Sequence, residues 1–235
     1  LACLKIGAIY SVLDSDSPIK RLSIIIDTCQ PKLMVAENQL INALDKSSKI
    51  YKFNILVNDF IEKKEKIKRY SGENLLTVDT VRSNSAAYIM FTSGSTGFPK
   101  GAVMSHANLI SFISWSDKEF GFSIDDKLTN VNPLFFDNSV FDFYAAFFTG
   151  ACLYPVKDEM LNDSARLFNY LNKHRMSIWF SVPSLIIYHL TVSPDKCEAF
   201  NNFKKIIFGG EGFPKNIMVL NMGKSDSFNA LILRI

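Results

Sequence analysis

The sequence predicts an α/β fold built on a largely parallel sheet, and three patterns predict it. Short apolar runs recur along the chain, each bounded by Gly, Pro, Asn, Asp or Ser, as buried strands tend to be. Segments with apolar residues at helical spacing separate these runs. The chain has 235 residues, 48% of them hydrophobic, which is enough for a sizeable core. Strands alternating with helices pair most readily side by side in one direction, with the helices covering the sheet.

The elements follow in order. Pro18–Cys29 reads as a helix with Leu22, Ile25, Ile26 and Cys29 on one face, and Lys32–Ala36 as the strand after it. Glu62–Arg69 is charge-rich and mixed in sign, the pattern of a solvated helix face. The polar stretch Tyr70–Ser85 is the best place for a linker or subdomain seam, near residues 70–85 of a single domain spanning 1–235. Ala86–Phe91 is the next strand. Ser105–Ser116 is a helix that groups Leu109, Phe112 and Ile113 behind a Ser105 cap. Lys127–Asn132 is a strand. The apolar run Ser139–Val156, interrupted by Asp142, reads as a core helix followed by a strand at Ala151–Val156, not as a membrane span. Ser164–His174 is a helix with Leu167, Phe168 and Leu171 together, and Ser177–Val182 and Lys205–Phe208 are strands.

Composition excludes some classes of function. With 26 basic and 23 acidic residues the net charge is +3, too balanced for a nucleic-acid footprint. Cys3, Cys29, Cys152 and Cys197 form no CxxC pair and have no neighbouring His, so neither a zinc site nor a disulfide framework is supported. Scattered cysteines suit a reducing cytosol, and a cytoplasmic location away from membranes is expected. His106, His174 and His189 are far apart in sequence and receive no catalytic or metal role. The chain lacks an initiator Met and stops at NALILRI, which leads to the expectation of a partial chain.

The most specific feature is Phe91–Gly101, FTSGSTGFPKG, after an apolar strand and ahead of a helix. Its residue types suit a polyphosphate. Gly94 and Gly97 can take positive φ and turn successive amide N–H groups inward. Thr92, Ser93, Ser95 and Thr96 supply hydroxyl donors, and Lys100 a mobile charge. Each hydrogen bond to a charged phosphate contributes about 1.5–3 kcal/mol. Phe98 and Pro99 separate Gly97 from Lys100, so this is not the common P-loop; nor does Ser95 have the flanks of a nucleophile elbow. A flexible Ser/Gly connection is the structural alternative.

TSGSTGFPKG followed by Ser105-His106-Ala107-Asn108-Leu109 resembles the signature loop of the adenylate-forming superfamily, whose members include acyl-CoA synthetases, nonribosomal-peptide adenylation domains and D-alanine–carrier-protein ligases. LKIGAIYSVLD at Leu4–Asp14, with Pro18 and Arg21-Leu22, resembles the opening of amino-acid adenylation domains, and Ser15 stands where that pattern has Pro. Phe136-Asp137-Asn138-Ser139-Val140 resembles the FDxSV segment of amino-acid-activating members, in which the Asp binds the substrate's α-ammonium group. A cation entering apolar surroundings needs such a carboxylate; a helix cap is the alternative role for Asp137 or Asn138. Ser181-Val182-Pro183-Ser184 and Gly209-Gly210-Glu211 resemble the strand end beside the acyl group and the turn beside the adenine.

The resemblance implies layered, mostly parallel sheets flanked by helices, as an incomplete N-terminal domain of an adenylate-forming enzyme without its small C-terminal domain. It implies a catalytic Lys100 and nucleotide contacts from Thr92, Ser93, Gly94, Ser95, Thr96, Gly97, Lys100, Gly209, Gly210 and Glu211. Substrate contacts are implied for Asp137, Asn138, Phe141, Phe180, Ile207 and Gly209. ATP and Mg2+ are the implied cofactors, the main carboxylate ligand of the metal being expected beyond this chain. An amino acid and a phosphopantetheinyl carrier protein are the implied partners. The expected activity is formation of an aminoacyl adenylate by the parent protein, the chain alone being inactive. An acyl- or aryl-CoA ligase is the enzymatic alternative, and a nucleotide-binding or interaction module without catalysis the alternative of another class.

Overall fold

The computed structural model describes residues 1–45, 54–57, 68, 70–73, 81–92, 98–194, 200, 202–212 and 230–232. They divide into two units, Leu1–Ala107 and Asn108–Ile235. The polar stretch 70–85 falls inside the first, with residues 74–80 outside the described ones, as is most of Glu62–Arg69.

In the first unit a short helix α1 (Ala2–Lys5) precedes α2 (Ile19–Cys29). Pro18 is the N-cap of α2, just ahead of its first helical residue, where its missing N–H is no loss. Gln30, in the left-handed region at φ 44°, ends it ahead of Pro31. Leu22 and Ile26 face Leu44 of α3 (Asn38–Asp45) in a small apolar cluster. Strand β1 (Leu33–Ala36) pairs in parallel with β2 (Asn54–Val57). A second pair, β3 (Ala86–Thr92) and β4 (Lys100–Ser105), is antiparallel. This hairpin corrects the expected loop-to-helix connection: a strand intervenes before α4 (His106–Phe120), and Ser105 is its last residue. KGAVMS escapes a periodicity search because its first four residues are exposed.

The second unit is a five-stranded sheet in which every pairing is parallel, in the order β6-β5-β7-β8-β9. The strands are β5 (Lys127–Asn130), β6 (Cys152–Pro155), β7 (Ile178–Ser181), β8 (Lys205–Phe208) and β9 (Ala230–Ile232). Between them run α5 (Asn138–Thr149), α6 (Asp158–Leu161), α7 (Ser164–His174) and α8 (Pro183–Val192). Both faces of the central strands are covered, because successive side chains point to opposite sides. Ile178, Phe180 and Ile207 pack with Phe141, Ala145 and Phe120 in one cluster. Trp179, Ile206 and Phe208 pack on the other side with Leu167, Leu171 and Ile186. Gly150 at φ 80° ends α5, and the predicted division of Ser139–Val156 into helix and strand is observed. No helix among the described residues is long and apolar enough to cross a membrane.

The chain leaves β5 for β6 on one side and returns to β7 on the other, then continues to β8. The connections therefore diverge between β5 and β7. In open parallel sheets that divergence opens a crevice at the carboxyl ends of the strands, where ligands bind.

Candidate functional site

In the first unit the hairpin fixes the two ends of the predicted phosphate loop. Phe91 pairs with Gly101 and Thr92 with Lys100, and the Thr92 hydroxyl lies 3.5 Å from the Lys100 carbonyl. Thr92 and Lys100 are thus exposed cross-strand neighbours at the open end of the ladder. The chain leaves and re-enters the sheet there, so the ladder holds the two ends of the segment together. A Cβ on Gly101 would come within 3.0 Å of the Ile89 side chain and 3.1 Å of the Phe91 ring, so those side chains would have to give by a few tenths of an ångström. Ser93, Gly94, Ser95, Thr96 and Gly97 lie outside the described residues.

In the second unit the fold gathers residues that the sequence separates. Asp137 stands at the start of α5, exposed, its Oδ1 accepting from the Asn138 N–H at 2.9 Å. A side-chain cap ordinarily serves the second or third helical N–H. Here backbone carbonyls take those groups, Ser139 N–H donating to Phe136 and Val140 N–H to Asp137. The Ser139 hydroxyl adds a 2.7 Å bond to the Phe136 carbonyl. Asp137 is thus the side-chain cap of α5, as the alternative role had it, but it serves only the first helical N–H and does so through Oδ1 alone.

The turn after β8 comes to the same place. Gly209 is buried and its N–H donates to the Ser181 carbonyl at the end of β7. Gly210 has φ 85°, a conformation L side chains rarely adopt. A Cβ on it would lie 3.5 Å from Val182 Cγ1 and 3.8 Å from Asn138 Nδ2, so the turn is next to the start of α5. Glu211 Oε2 accepts from the Ser184 N–H at 3.3 Å, placing a carboxylate on the first turn of α8, where the helix dipole favours it. Phe141, Phe180 and Ile207, read from the sequence as substrate contacts, lie together in the core cluster between α5 and the sheet. All three are buried, and the Phe141 and Phe180 rings lie 4.6 Å apart.

One group at this end was read from the sequence only as a break in an apolar run. Asp142 is completely buried, and its Oδ2 accepts from Asn132 Nδ2 at 2.9 Å and Asn130 Nδ2 at 3.3 Å. Burial pushes its carboxyl well above the ordinary carboxylate range, an effect the Asn132 and Asn130 amides only partly offset. An acid in the middle of an apolar helix is itself the signal, since such a residue is seldom buried without a partner. Asn130 and Asn132 carry no such signal, being ordinary residues for the end of a strand.

A second buried acid lies at the opposite end of the sheet. Asp126 Oδ1 accepts from Ser177 Oγ at 2.8 Å and Lys204 Nζ at 2.8 Å, and Oδ2 from the Ser123 N–H at 2.8 Å. Burial alone would raise this carboxyl, but those hydrogen bonds and the Lys204 charge bring it below its usual value. His189 is buried against Ser164, Nδ1 to Oγ 2.8 Å. Among the described residues no cluster of His, Cys, Asp and Glu is arranged to hold a metal ion.

Comparison with known proteins bears on this arrangement. A family model described as AMP-binding enzyme matches residues 1–222. The chain belongs to the AMP-binding enzymes. Among its relatives, an L-proline–(L-prolyl-carrier protein) ligase of Pseudomonas fluorescens is 29% identical over 213 residues, 91% of this chain and 43% of that protein. A D-alanine–D-alanyl carrier protein ligase of Bacillus cytotoxicus is 29% identical over 217 residues, 92% of this chain and 42% of that protein. The chain thus spans less than half the length of these curated relatives. Of solved structures, the inhibitor-bound N-terminal domain of FACL13 from Mycobacterium tuberculosis superposes with a TM-score of 0.84 at 19% identity, covering 99% of this chain and 57% of that one. The nonribosomal peptide synthetase FmoA3 gives 0.79 at 19% identity, covering 99% and 24%. The α/β fold with mostly parallel sheets, in part of an adenylate-forming N-terminal domain, is the fold that the sequence predicts.

Proposed function

We propose that the protein carrying this chain activates an amino-acid carboxylate with ATP and hands the aminoacyl group to a carrier-protein thiol. The observation that carries the reading is Asp137: an exposed carboxylate that caps its own helix through one oxygen, at the start of the helix whose Asn138 lies next to the Gly210 turn. An α-ammonium group docked there exchanges water for a fixed negative charge, and substrates without an amine gain nothing from it. The carrier-protein ligases among the relatives support the same class of substrate. An AMPPNP-bound form of the FmoA3 structure supports ATP as the co-substrate.

In this reading the amino-acid carboxylate attacks the α-phosphorus of ATP, the acyl–phosphate bond forms, and the bond to pyrophosphate breaks. Thr92, Lys100 and the loop residues Ser93, Gly94, Ser95, Thr96 and Gly97 hold the departing pyrophosphate. Their role is electrostatic stabilisation of charge that grows as the bond breaks. Gly209 and Gly210 let backbone approach the adenine, with Glu211 beside them. Asn138 flanks the ammonium, and Phe141, Phe180 and Ile207 set the apolar side of the substrate. When bound, Mg2+ supplies charge neutralisation on the phosphates; no donor set for it is assigned to this chain.

The test is amino-acid-dependent exchange of pyrophosphate into ATP, with Asp137→Ala compared to wild type. Loss of the clamp should weaken amino-acid use by about 2–5 kcal/mol while leaving the KM for ATP in place. An unchanged KM for the amino acid would sink the clamp, and exchange supported only by fatty or aryl acids would sink the amino-acid reading.

A further inference from the structure

Asp142 lies beneath this site and has no part in the roles given so far. It follows Phe141 directly in α5 and is completely buried. Asn132 Nδ2 donates to Asp142 Oδ2 at 2.9 Å and to the Phe180 carbonyl at 2.9 Å. Asn130 Nδ2 adds a 3.3 Å bond to the same carboxylate oxygen. Asp142 Oδ1 has no hydrogen-bond partner among the described residues. A single amide thus ties three elements: the exit of β5, the end of β7 and the first turns of α5. Its two acceptors belong to, or adjoin, the residues whose rings meet at 4.6 Å in the core, Phe141 and Phe180. Phe141 is the neighbour of the acceptor, and Phe180 supplies the other acceptor.

An acid is a poor choice for this place if stability were its purpose. Burying a carboxyl with one oxygen unpaired is costly, and apolar residues of similar volume usually serve a core as well or better. What a carboxyl provides and a hydrocarbon cannot is direction. It fixes where the Asn132 amide points, and so fixes the Phe180 backbone against α5.

We propose that Asp142 is a positioning residue for side-chain selectivity: through Asn132 it sets Phe180 relative to Phe141 and thereby the shape of the apolar floor under the substrate. This rests on the amino-acid reading above. Asp142 touches no substrate, and its influence passes through Asn132.

The test compares Asp142→Asn, Asp142→Leu and Asn132→Ala in the protein that carries this chain, with two readouts. The first is amide hydrogen exchange over residues 137–142 and 178–184, with 164–174 as the control for the fold. Asp142→Asn keeps an oxygen acceptor and should leave all three segments as in wild type. Asp142→Leu and Asn132→Ala should speed exchange in the first two by about tenfold, the size of one net hydrogen bond, and spare the third. The second readout is pyrophosphate exchange across a panel of amino acids. The two breaking variants should change the ratio of kcat/KM between large and small amino acids by about tenfold, the effect of roughly a methylene's misfit, with the KM for ATP unchanged and Asp142→Asn keeping the wild-type ranking. Wild-type protection in both segments, or an unaltered ranking in both breaking variants, overturns the proposal. If Asp142→Leu does not fold, Asn132→Ala carries both readouts, because it cuts the tie and leaves the acid. If wild type uses no amino acid, the reading of the site fails on its own. Hydrogen exchange then decides the positioning, faster local exchange supporting it and unchanged exchange overturning it.

Discussion

Asp126, just before β5, and Asp142, packed against the far end of the same strand, are both buried acids of one sheet held in opposite ways. Asp126 has three hydrogen bonds, one of them from the Lys204 cation, with donors on both oxygens. Asp142 has neutral amides on one oxygen and no partner on the other among the described residues. Accordingly the first titrates below its usual range and the second well above it. The satisfied network sits at the amino ends of β5, β7 and β8, where the fold has only to be held together. The unsatisfied one sits at the carboxyl ends, where the connections diverge and ligands are expected. Unmet polar capacity in a core costs stability, and of these two acids it is the one at the carboxyl ends that carries it.

Three changes would break or sharpen this contrast. The largest effect is expected for Asp126→Ala, which removes the acceptor of the Ser123 N–H and of the Ser177 hydroxyl, leaving the latter only its longer bond to the Lys127 carbonyl and the one it accepts from the Lys127 N–H. The Lys204 side chain is 58% exposed and returns to water, so the loss should be about 2–3 kcal/mol in urea unfolding rather than that of a fully buried pair. A loss below about 0.5 kcal/mol, the range of neutral surface changes, would remove the structural half of the contrast. Gly210→Ala should come next. The nearest atoms are at ordinary contact distance, so its cost is the strain of φ 85°, about 1–2 kcal/mol. That cost should appear in amino-acid use as well as in unfolding, because the turn adjoins Asn138.

The smallest effect on neutral-pH stability is expected for Asp142→Asn, within about 1 kcal/mol and in the stabilising direction. Its signature is the pH profile. The unfolded carboxyl titrates near 3.9, and the folded one higher, so Asp142 makes stability fall as pH rises from about 3.9 through the folded value. The Asn variant should lack that fall. Asp126 has the opposite sign: its contribution is present above about 3.9 and is lost as pH falls through its lowered folded value. Asp126→Ala should flatten the acid side of the same curve. Profiles that change identically in the two variants would show that the two ends do not differ as described.

Much of the second unit was legible in the sequence. Lys205–Phe208 was read to the residue, and Ser177–Val182 to within one residue at each end, because fully buried strands leave unbroken apolar runs. The helix Ser164–His174 was legible from its apolar stripe, and its Asp163 cap completes it. The hairpin strand β4 was not legible, because an exposed strand with Gly at its second position has neither apolar alternation nor a run. Of the candidate site, Asp137, Asn138, Gly209, Gly210 and Glu211 were picked out by resemblance to motifs. That Asn138 lies next to Gly210, and that Asp142 reaches Phe180 through Asn132, could not be read, since residues 132, 142 and 180 meet only when β5, α5 and β7 are packed.

The sequence by itself determined the class of fold and the family, and named the residues of the candidate site, because local periodicity and contiguous motifs are properties of short segments. Only the tertiary structure decided which acid is satisfied and which is not. Burial and hydrogen-bond partners are set by strands distant in sequence, and Asp126 and Asp142 are the same residue until the sheet assigns Lys204 and Ser177 to one and two asparagines to the other.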